Sequence, residues 1–284
     1  MILTELPATI EKRLDLAGIQ HGRLQLLSAT TNPCFTDAAH IFVKVAGPLR
    51  HDANLQTELD LSLLPGNKEV TTQPAHRDIF HAQGASFTVW NFVGGVSPKE
   101  SSMTGPTIAL MLKTLSTFHE ASKGFDGVLP SIRQYHETTA PFLDEKPDGI
   151  RDAVLDSIKR LVEIHLLGRT FDDSSPDVVH GDNRPANVIF SPNARPLLCD
   201  LDGALRGPRE YDYGTLLFAL SCYGGSDETV HALSDHVIAA GLDTNLVWAA
   251  ARAKITRAMV ADYLTRKDAQ LQALLGHAAG RLFP

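Results

Sequence analysis

Asp182 and Asn187 stand five residues apart in "VVHGDNRPANVIF", residues 178–190, between two β-branched pairs. A carboxylate held on a tight turn can accept the proton of an attacking hydroxyl, and an amide oxygen is a fit ligand for a hard cation. Such a cation needs a second oxygen from an acidic side chain. Asp200 supplies it at the end of the apolar run in "LLCDLDGAL", 18 residues after Asp182, with Asp202 two residues further on. With strands over 187–190 and 197–200 paired as a hairpin, Asn187 and Asp200 meet at one end, which sets a magnesium site beside a base. A satisfied polar turn, the bland alternative, leaves the second aspartate unexplained.

Residues this closely related need rigid elements on both sides. Before residue 95 short β-type runs dominate: 23–28, 41–46 and 86–93, with one helical stretch from Asp52 to Leu64. After it, long helical patterns take over. Leu110, Leu112, Leu115 and Phe118 fall on a helix following Pro106, and Val154, Leu155, Ile158, Leu161, Val162 and Leu166 trace a second apolar face. Two more helices are expected near 213–223 and 245–267. The Gly94-Gly95 pair reads as the joint between a small β-rich lobe, 1–95, and a larger helical one, 96–284.

Composition narrows the partners. A chain of 284 residues that is 43% hydrophobic can build a sizeable core, and a net charge of −7 argues against nucleic acid or an anionic membrane as partner. Cys34, Cys199 and Cys222 are odd in number and far apart, so they suggest neither a disulfide framework nor a zinc site; they read as small core hydrophobes. No apolar run is long enough to span a membrane, and the N-terminus has no signal-peptide layout, so a reducing cytoplasm is the expected location. Lys44, in "IFVKV", sits mid-strand among apolar neighbours, where a lone ammonium is costly unless it meets phosphates and a carboxylate. Glu58 in the following helix is the candidate partner, with Asp60 and Glu69 as alternatives.

The "HGDNRPAN" loop, the following "CDLD" and the later "EYDYG" resemble the kinase-like phosphotransferases that modify small molecules, the family of aminoglycoside and choline kinases. The same base, asparagine and metal aspartate, at the same spacing, occur in protein kinases, where the loop begins His-Arg-Asp. The resemblance implies an α+β, two-lobed, protein-kinase-like fold, with a small β-rich N-lobe and a larger, mostly helical C-lobe. It implies Asp182 as catalytic base, Asn187 and Asp200 as magnesium ligands, and Asp202 as a second acidic residue near metal and nucleotide. Asp212 then scaffolds the catalytic loop, His180 braces it, and His119 is a hydrogen-bonded core histidine. ATP or GTP is the implied donor, with Lys44 and Glu58 at the phosphate end. "TVWNFVGG" is the implied hinge, contacting the base through the main chain around Asn91 and Val93. The phosphate-covering loop "LSATTNPCF" departs from the family in having no glycine, so Ser28, Thr30, Thr31 and Asn32 stand in as donors. Arg184 also replaces a histidine frequent at its place.

The expected reaction is transfer of a γ-phosphoryl group to a hydroxyl of a small molecule. Only about a dozen residues separate Asp200 from the helix at Asp212, too few for the peptide-docking segment of a protein kinase. The rival readings are a protein kinase and a nucleotide-binding module without catalysis. The net charge, together with Glu210, Asp227, Glu228, Asp235, Asp243 and "FDDSSPD", favours a cationic acceptor of aminoglycoside-like kind. Choline or ethanolamine, homoserine and amino sugars are the alternatives.

Overall fold

The computed structural model describes residues 6–28, 33–46, 52–138, 152–168, 170–171, 175–191 and 195–264. The N-terminal part is an antiparallel sheet of five strands, β1 (Gln25–Ser28), β2 (Cys34–Thr36), β3 (Ile41–Val45), β4 (Phe80–Ala82) and β5 (Ala85–Asn91), in the order β1-β2-β3-β5-β4. Helix α1 (Leu6–Leu16) precedes it and α2 (Asp52–Leu63) follows β3. In β3 the alternation puts Ile41, Val43 and Val45 into a core shared with Phe35, Phe87 and Val89. Lys44, opposite Cys34 on one neighbour and Thr88 on the other, has the other parity in the strand.

The sequence reading omitted α1. Its apolar stripe is only Leu6, Ile10 and Leu14, four residues apart, yet all three are fully buried against the sheet core. At about 1.5–3 kcal/mol for each buried side chain, that single row is enough to dock a helix of 11 residues.

The larger part is helical: α3 (Gly105–Ala121), α4 (Ile132–Glu137), α5 (Asp152–His165), α6 (Glu210–Cys222), α7 (Asp227–Ala239) and α8 (Thr244–Leu264). On α3, Ile108, Met111, Leu112, Leu115 and Phe118 form the buried face, whereas Leu110, expected on it, points outward and is 51% exposed. On α5, Ile158, Val162 and Leu166 are buried; the side chains of Val154 and Leu155 lie outside the described residues. Helices α4 and α7 are additions to the expected set. Helix α6 is buried from Tyr211 to Cys222 and is the axis of this core. Gly214 lets α8 reach it: a Cβ there would collide with Ala250 and the Val247 carbonyl. No described helix is long and apolar enough to cross a membrane.

Between α5 and α6 run four two-residue strands, β6 (Val178–Val179), β7 (Val188–Ile189), β8 (Leu197–Leu198) and β9 (Leu205–Arg206). β7 and β8 pair antiparallel, Val188 opposite Leu198, and the Cys199 N–H donates to the Asn187 carbonyl at 3.0 Å. β6 pairs with β9, which closes a loop around residues 180–187. Main-chain bonds tie this region to the rest: Val96 and Phe190 exchange two, and Leu198 bonds Val70 and Thr72. Leu61 and Val70, from before residue 95, pack into the larger core.

Candidate functional site

Three carboxylates converge on Lys44. Its Nζ lies 2.8 Å from Glu58 Oε2, 2.5 Å from Asp200 Oδ1 and 2.6 Å from Asp202 Oδ2. Burial alone would lower the lysine's pKa, but Glu58 and Asp200 outweigh it and the net shift is upward, so the ammonium stays charged. Glu58 also accepts the Leu201 N–H through Oε1 at 3.1 Å, so one side chain fixes both Lys44 and the backbone just after Asp200. Asp200 itself has φ 66° and ψ 49°, a left-handed conformation unusual for a residue with a side chain. Asp60 and Glu69 are exposed, and Glu69 faces Arg195, so Glu58 is the residue that meets Lys44.

The catalytic-loop candidate is built from below. Asp212, in the first turn of α6, accepts the His180 N–H at 2.8 Å on Oδ2 and the Gly181 N–H at 2.9 Å on Oδ1, while His119 Nε2 contacts Oδ2 at 2.8 Å. Burial would raise this carboxyl, but these partners hold it below the usual range. Gly181 has φ +79°, and a Cβ on it would overlap the Gly203 carbonyl oxygen, so glycine is required there. The Asp182 N–H reaches His180 Nδ1 at 3.4 Å; with the ring proton on Nε2, that atom donates to the Cys199 carbonyl at 3.0 Å and links the loop to the strand leading into Asp200.

Asp182 is crowded with donors. Its Oδ2 accepts from Arg184 Nε at 3.2 Å, Arg184 Nη2 at 3.0 Å and Asn187 Nδ2 at 3.0 Å, and Lys254 Nζ stands 3.5 Å from Oδ1. Burial pushes its pKa up; the cations of Lys254 and Arg184 outweigh that and bring it to about 2. Asn187 also donates to the Asp182 carbonyl at 2.8 Å. Its amide nitrogen is thereby committed to Asp182, which leaves the oxygen end for a cation.

A cavity of about 630 Å3 opens in front of the Lys44 cluster and Asn187. Ser28, Asn91, Val93, Lys44, Glu58, Asn187 and Asp200 are in its wall. Asp202 is not; it belongs to a second cavity beyond Lys44. The Asn91 and Phe92 N–H groups donate to the Gln73 and His40 carbonyls. Thr30, Thr31 and Asn32 lie outside the described residues. Cys34 and Cys199 are also in the wall, so the reading of all three cysteines as core hydrophobes applies to Cys222 alone. Burial and Asp200 push the Cys199 thiol up to about 12, which keeps it protonated.

Of the acidic residues expected at an acceptor cleft, Asp172 and Asp173 lie outside the described residues. Asp243 accepts the Asn245 and Leu246 N–H groups at the start of α8, Glu210 accepts the Asp243 N–H, and Asp177 pairs with Arg209. None of Glu210, Asp227, Glu228, Asp235 and Asp243 is in the wall of either cavity. Sequence reasoning missed Lys254, whose signal was available: a lone lysine on the face of α8 that carries Val247, Ala250 and Ala251.

A magnesium ion fits the donor set. Among the described residues no cluster of three His, Cys, Asp or Glu forms a ready-made metal cage. Magnesium does not need one, since it is commonly held by one or two side-chain oxygens together with nucleotide phosphates and water. One ammonium facing three carboxylates also leaves the Lys44 cluster negative, a field that attracts a cation.

The model of the phosphotransferase enzyme family matches residues 15–253. No protein of curated function matches the chain by sequence. Among solved structures, the GDP and kanamycin complex of APH(2")-IIia superposes with TM-score 0.71 at 15% identity, covering 98% of this chain and 99% of that one. Choline kinase LicA from Streptococcus pneumoniae gives 0.69 at 14%, covering 97% and 99%. Amicoumacin kinase hAmiN, in complex with AMP-PNP, Ca2+ and Ami, gives 0.70 at 13%, covering 100% and 98%. At these identities the likeness is one of fold, and that fold is the two-lobed one of protein kinases.

Proposed function

The chain belongs to the phosphotransferase enzyme family, and from that premise we propose that it moves the γ-phosphoryl group of ATP or GTP, with magnesium, onto a hydroxyl of a small molecule. The observation that carries the reading is that Lys44, Glu58 and Asp200 meet as one cluster in the wall of the same cavity as Asn187, whose amide donates to Asp182. A non-catalytic module has no use for a carboxylate held this way. The protein-kinase reading is disfavoured by the short stretch 201–209, which β9 and one turn nearly fill before α6 begins.

In this reading the acceptor oxygen bonds to the γ-phosphorus as the bond to the leaving diphosphate breaks, and the hydroxyl proton passes to Asp182. A carboxylate with a pKa of about 2 is a weak base. It works mainly by orienting the hydroxyl and takes the proton late, once the new bond has made that oxygen acidic. Lys44 steadies the phosphates, and Glu58 holds Lys44. Asn187 and Asp200 hold the cation, which when bound neutralises charge on the transferring phosphates. Ser28 borders the phosphate end, and the base meets the main chain near Val93, because the Asn91 N–H is already spent on Gln73. The aminoglycoside-like acceptor draws support from the net charge of −7 alone.

The test is nucleotide binding and consumption with and without magnesium. Asp200→Ala and Asn187→Ala should each weaken nucleotide binding at least about tenfold in magnesium and much less in its absence. Equal losses in both conditions would assign these residues to folding instead of metal binding.

A further inference from the structure

The guanidinium of Arg184 stands against the carboxylate that takes the proton. Its Nε and Nη2 both donate to Asp182 Oδ2, at 3.2 and 3.0 Å, and Asn187 Nδ2 donates to the same oxygen at 3.0 Å. Three donors fill the lone pairs of Oδ2 and leave it no capacity for an acceptor hydroxyl. The hydroxyl is therefore met by Oδ1, and it lies within about 6 Å of the guanidinium, two hydrogen-bond lengths away. Whatever group the acceptor carries next to its reacting hydroxyl is read by Arg184.

The side chain is placed to do so. Asp182 and Arg184 are 35% and 33% exposed, so both can be approached from solvent. Ala186 and Asn187 border the nucleotide cavity and Arg184 does not, which sets the guanidinium on the side of the base away from the nucleotide. Nε and Nη2 form the side edge of the guanidinium, and that edge holds Asp182. The end edge, Nη1 with the second Nη2 hydrogen, makes no hydrogen bond among the described residues. Such an edge takes both oxygens of a carboxylate in parallel. Charge points the same way. Lys254 Nζ, 3.5 Å from Oδ1, is a second cation at the base, so two positive charges face one carboxylate. The next carboxylate, Glu100, acts on Arg184 more weakly than Asp182 does. An ammonium beside the reacting hydroxyl meets both cations at close range, whereas a carboxylate meets an open fork.

Resting on the phosphoryl-transfer reading, we infer that Arg184 is a specificity-determining residue and that the acceptor is a short hydroxy acid. Its hydroxyl lies on Asp182 Oδ1 and its carboxylate on the end edge of Arg184, with roughly one to three carbons between them. The probes are glycerate, 3-hydroxybutanoate and L-homoserine, the primary amides of the first two, and ethanolamine and kanamycin as cations. Binding is read by ligand-observed NMR in magnesium and a non-hydrolysable ATP analogue, and phosphorylation by product analysis with ATP. At least one hydroxy acid should bind and be phosphorylated, about tenfold or more tighter than its amide, with an affinity that falls as salt rises from about 0.05 to 0.3 M. Arg184→Gln should weaken the acid about tenfold or more and the amide by less than about threefold, while magnesium–ATP affinity stays within about threefold. Arg184→Lys should restore the preference only in part. A guanidinium that merely orients Asp182 would lower turnover on acid and amide alike and leave their affinity ratio unmoved, which overturns the inference. So does binding by no hydroxy acid, or amides and cations that bind the unaltered protein as well as the acids do, a comparison that needs no variant to fold. A loss confined to magnesium–ATP affinity in Arg184→Gln assigns the guanidinium to the nucleotide and overturns it too. Phosphorylated kanamycin with no acid bound sinks the inference and leaves the transfer reading intact. Hydroxy acids that bind in step with the Arg184 variants while no phosphoryl group is transferred uphold the ligand class and sink the transfer reading.

Discussion

Three hydrogen bonds on one oxygen of Asp182 and an ammonium 3.5 Å from the other describe a carboxylate built to stay charged. Because its folded pKa is depressed, to about 2, it loses its charge only as pH falls through that value, far below the working range. Activity that depends on it should therefore show no acid limb between about pH 5 and 8. Lys254→Met removes the strongest opposing cation, and burial then acts with less opposition, so the carboxyl moves up towards or past the ordinary value of about 3.9. The expected outcome is a new acid limb in the kcat/KM profile for nucleotide consumption, rising between about pH 4 and 6, and its reversal in Lys254→Arg. A fall in rate equal at every pH would give Lys254 a packing role only.

At the scale of elements, α6 is what holds the loop in place, and Asp212 is the contact. Both its oxygens accept loop N–H groups while His119 bonds one of them, all buried. Asp212→Asn puts an NH2 group against a donor, and the cost of one unsatisfied buried group plus a lost charge-assisted bond is about 2–4 kcal/mol. Its folded pKa is depressed, so its contribution is present above the ordinary carboxylate value and is lost as pH falls through the folded one. Urea unfolding should accordingly give the same loss at pH 5 and pH 7. A loss below about 0.5 kcal/mol would show that the loop is held by other means. The strand alternation, the 187–200 hairpin and the long amphipathic helices could be read from residue periods, which are local. Helix α1 and the outward Leu110 could not, because one apolar row, or one leucine beside it, becomes core only when a partner face arrives. The buried ammonium among apolar residues that revealed Lys44 recurs in Lys254, where the helical context hid it.

Across the whole molecule the sheet side supplies Lys44 and Glu58 and the helical side supplies Asn187 and Asp200 to one cavity, with Asp182 behind Asn187. The polar loop motif was legible because its residues are close in sequence. The second cavity was not, because its wall draws on residues 53–57, 128–135 and 202–205, which only the fold brings together. Asp243 and Asp177, two of the acidic residues read as facing an acceptor, instead cap α8 and pair with Arg209, roles set by neighbours that the sequence alone does not bring together. The central claim, that this cleft transfers a phosphoryl group by way of Asp182, is tested most directly by measuring magnesium–ATP affinity and turnover together in Asp182→Asn. The account predicts affinity within about threefold of the unaltered protein and turnover lower by about 100-fold or more. Turnover within a few-fold of the unaltered protein, with affinity unchanged, would contradict it.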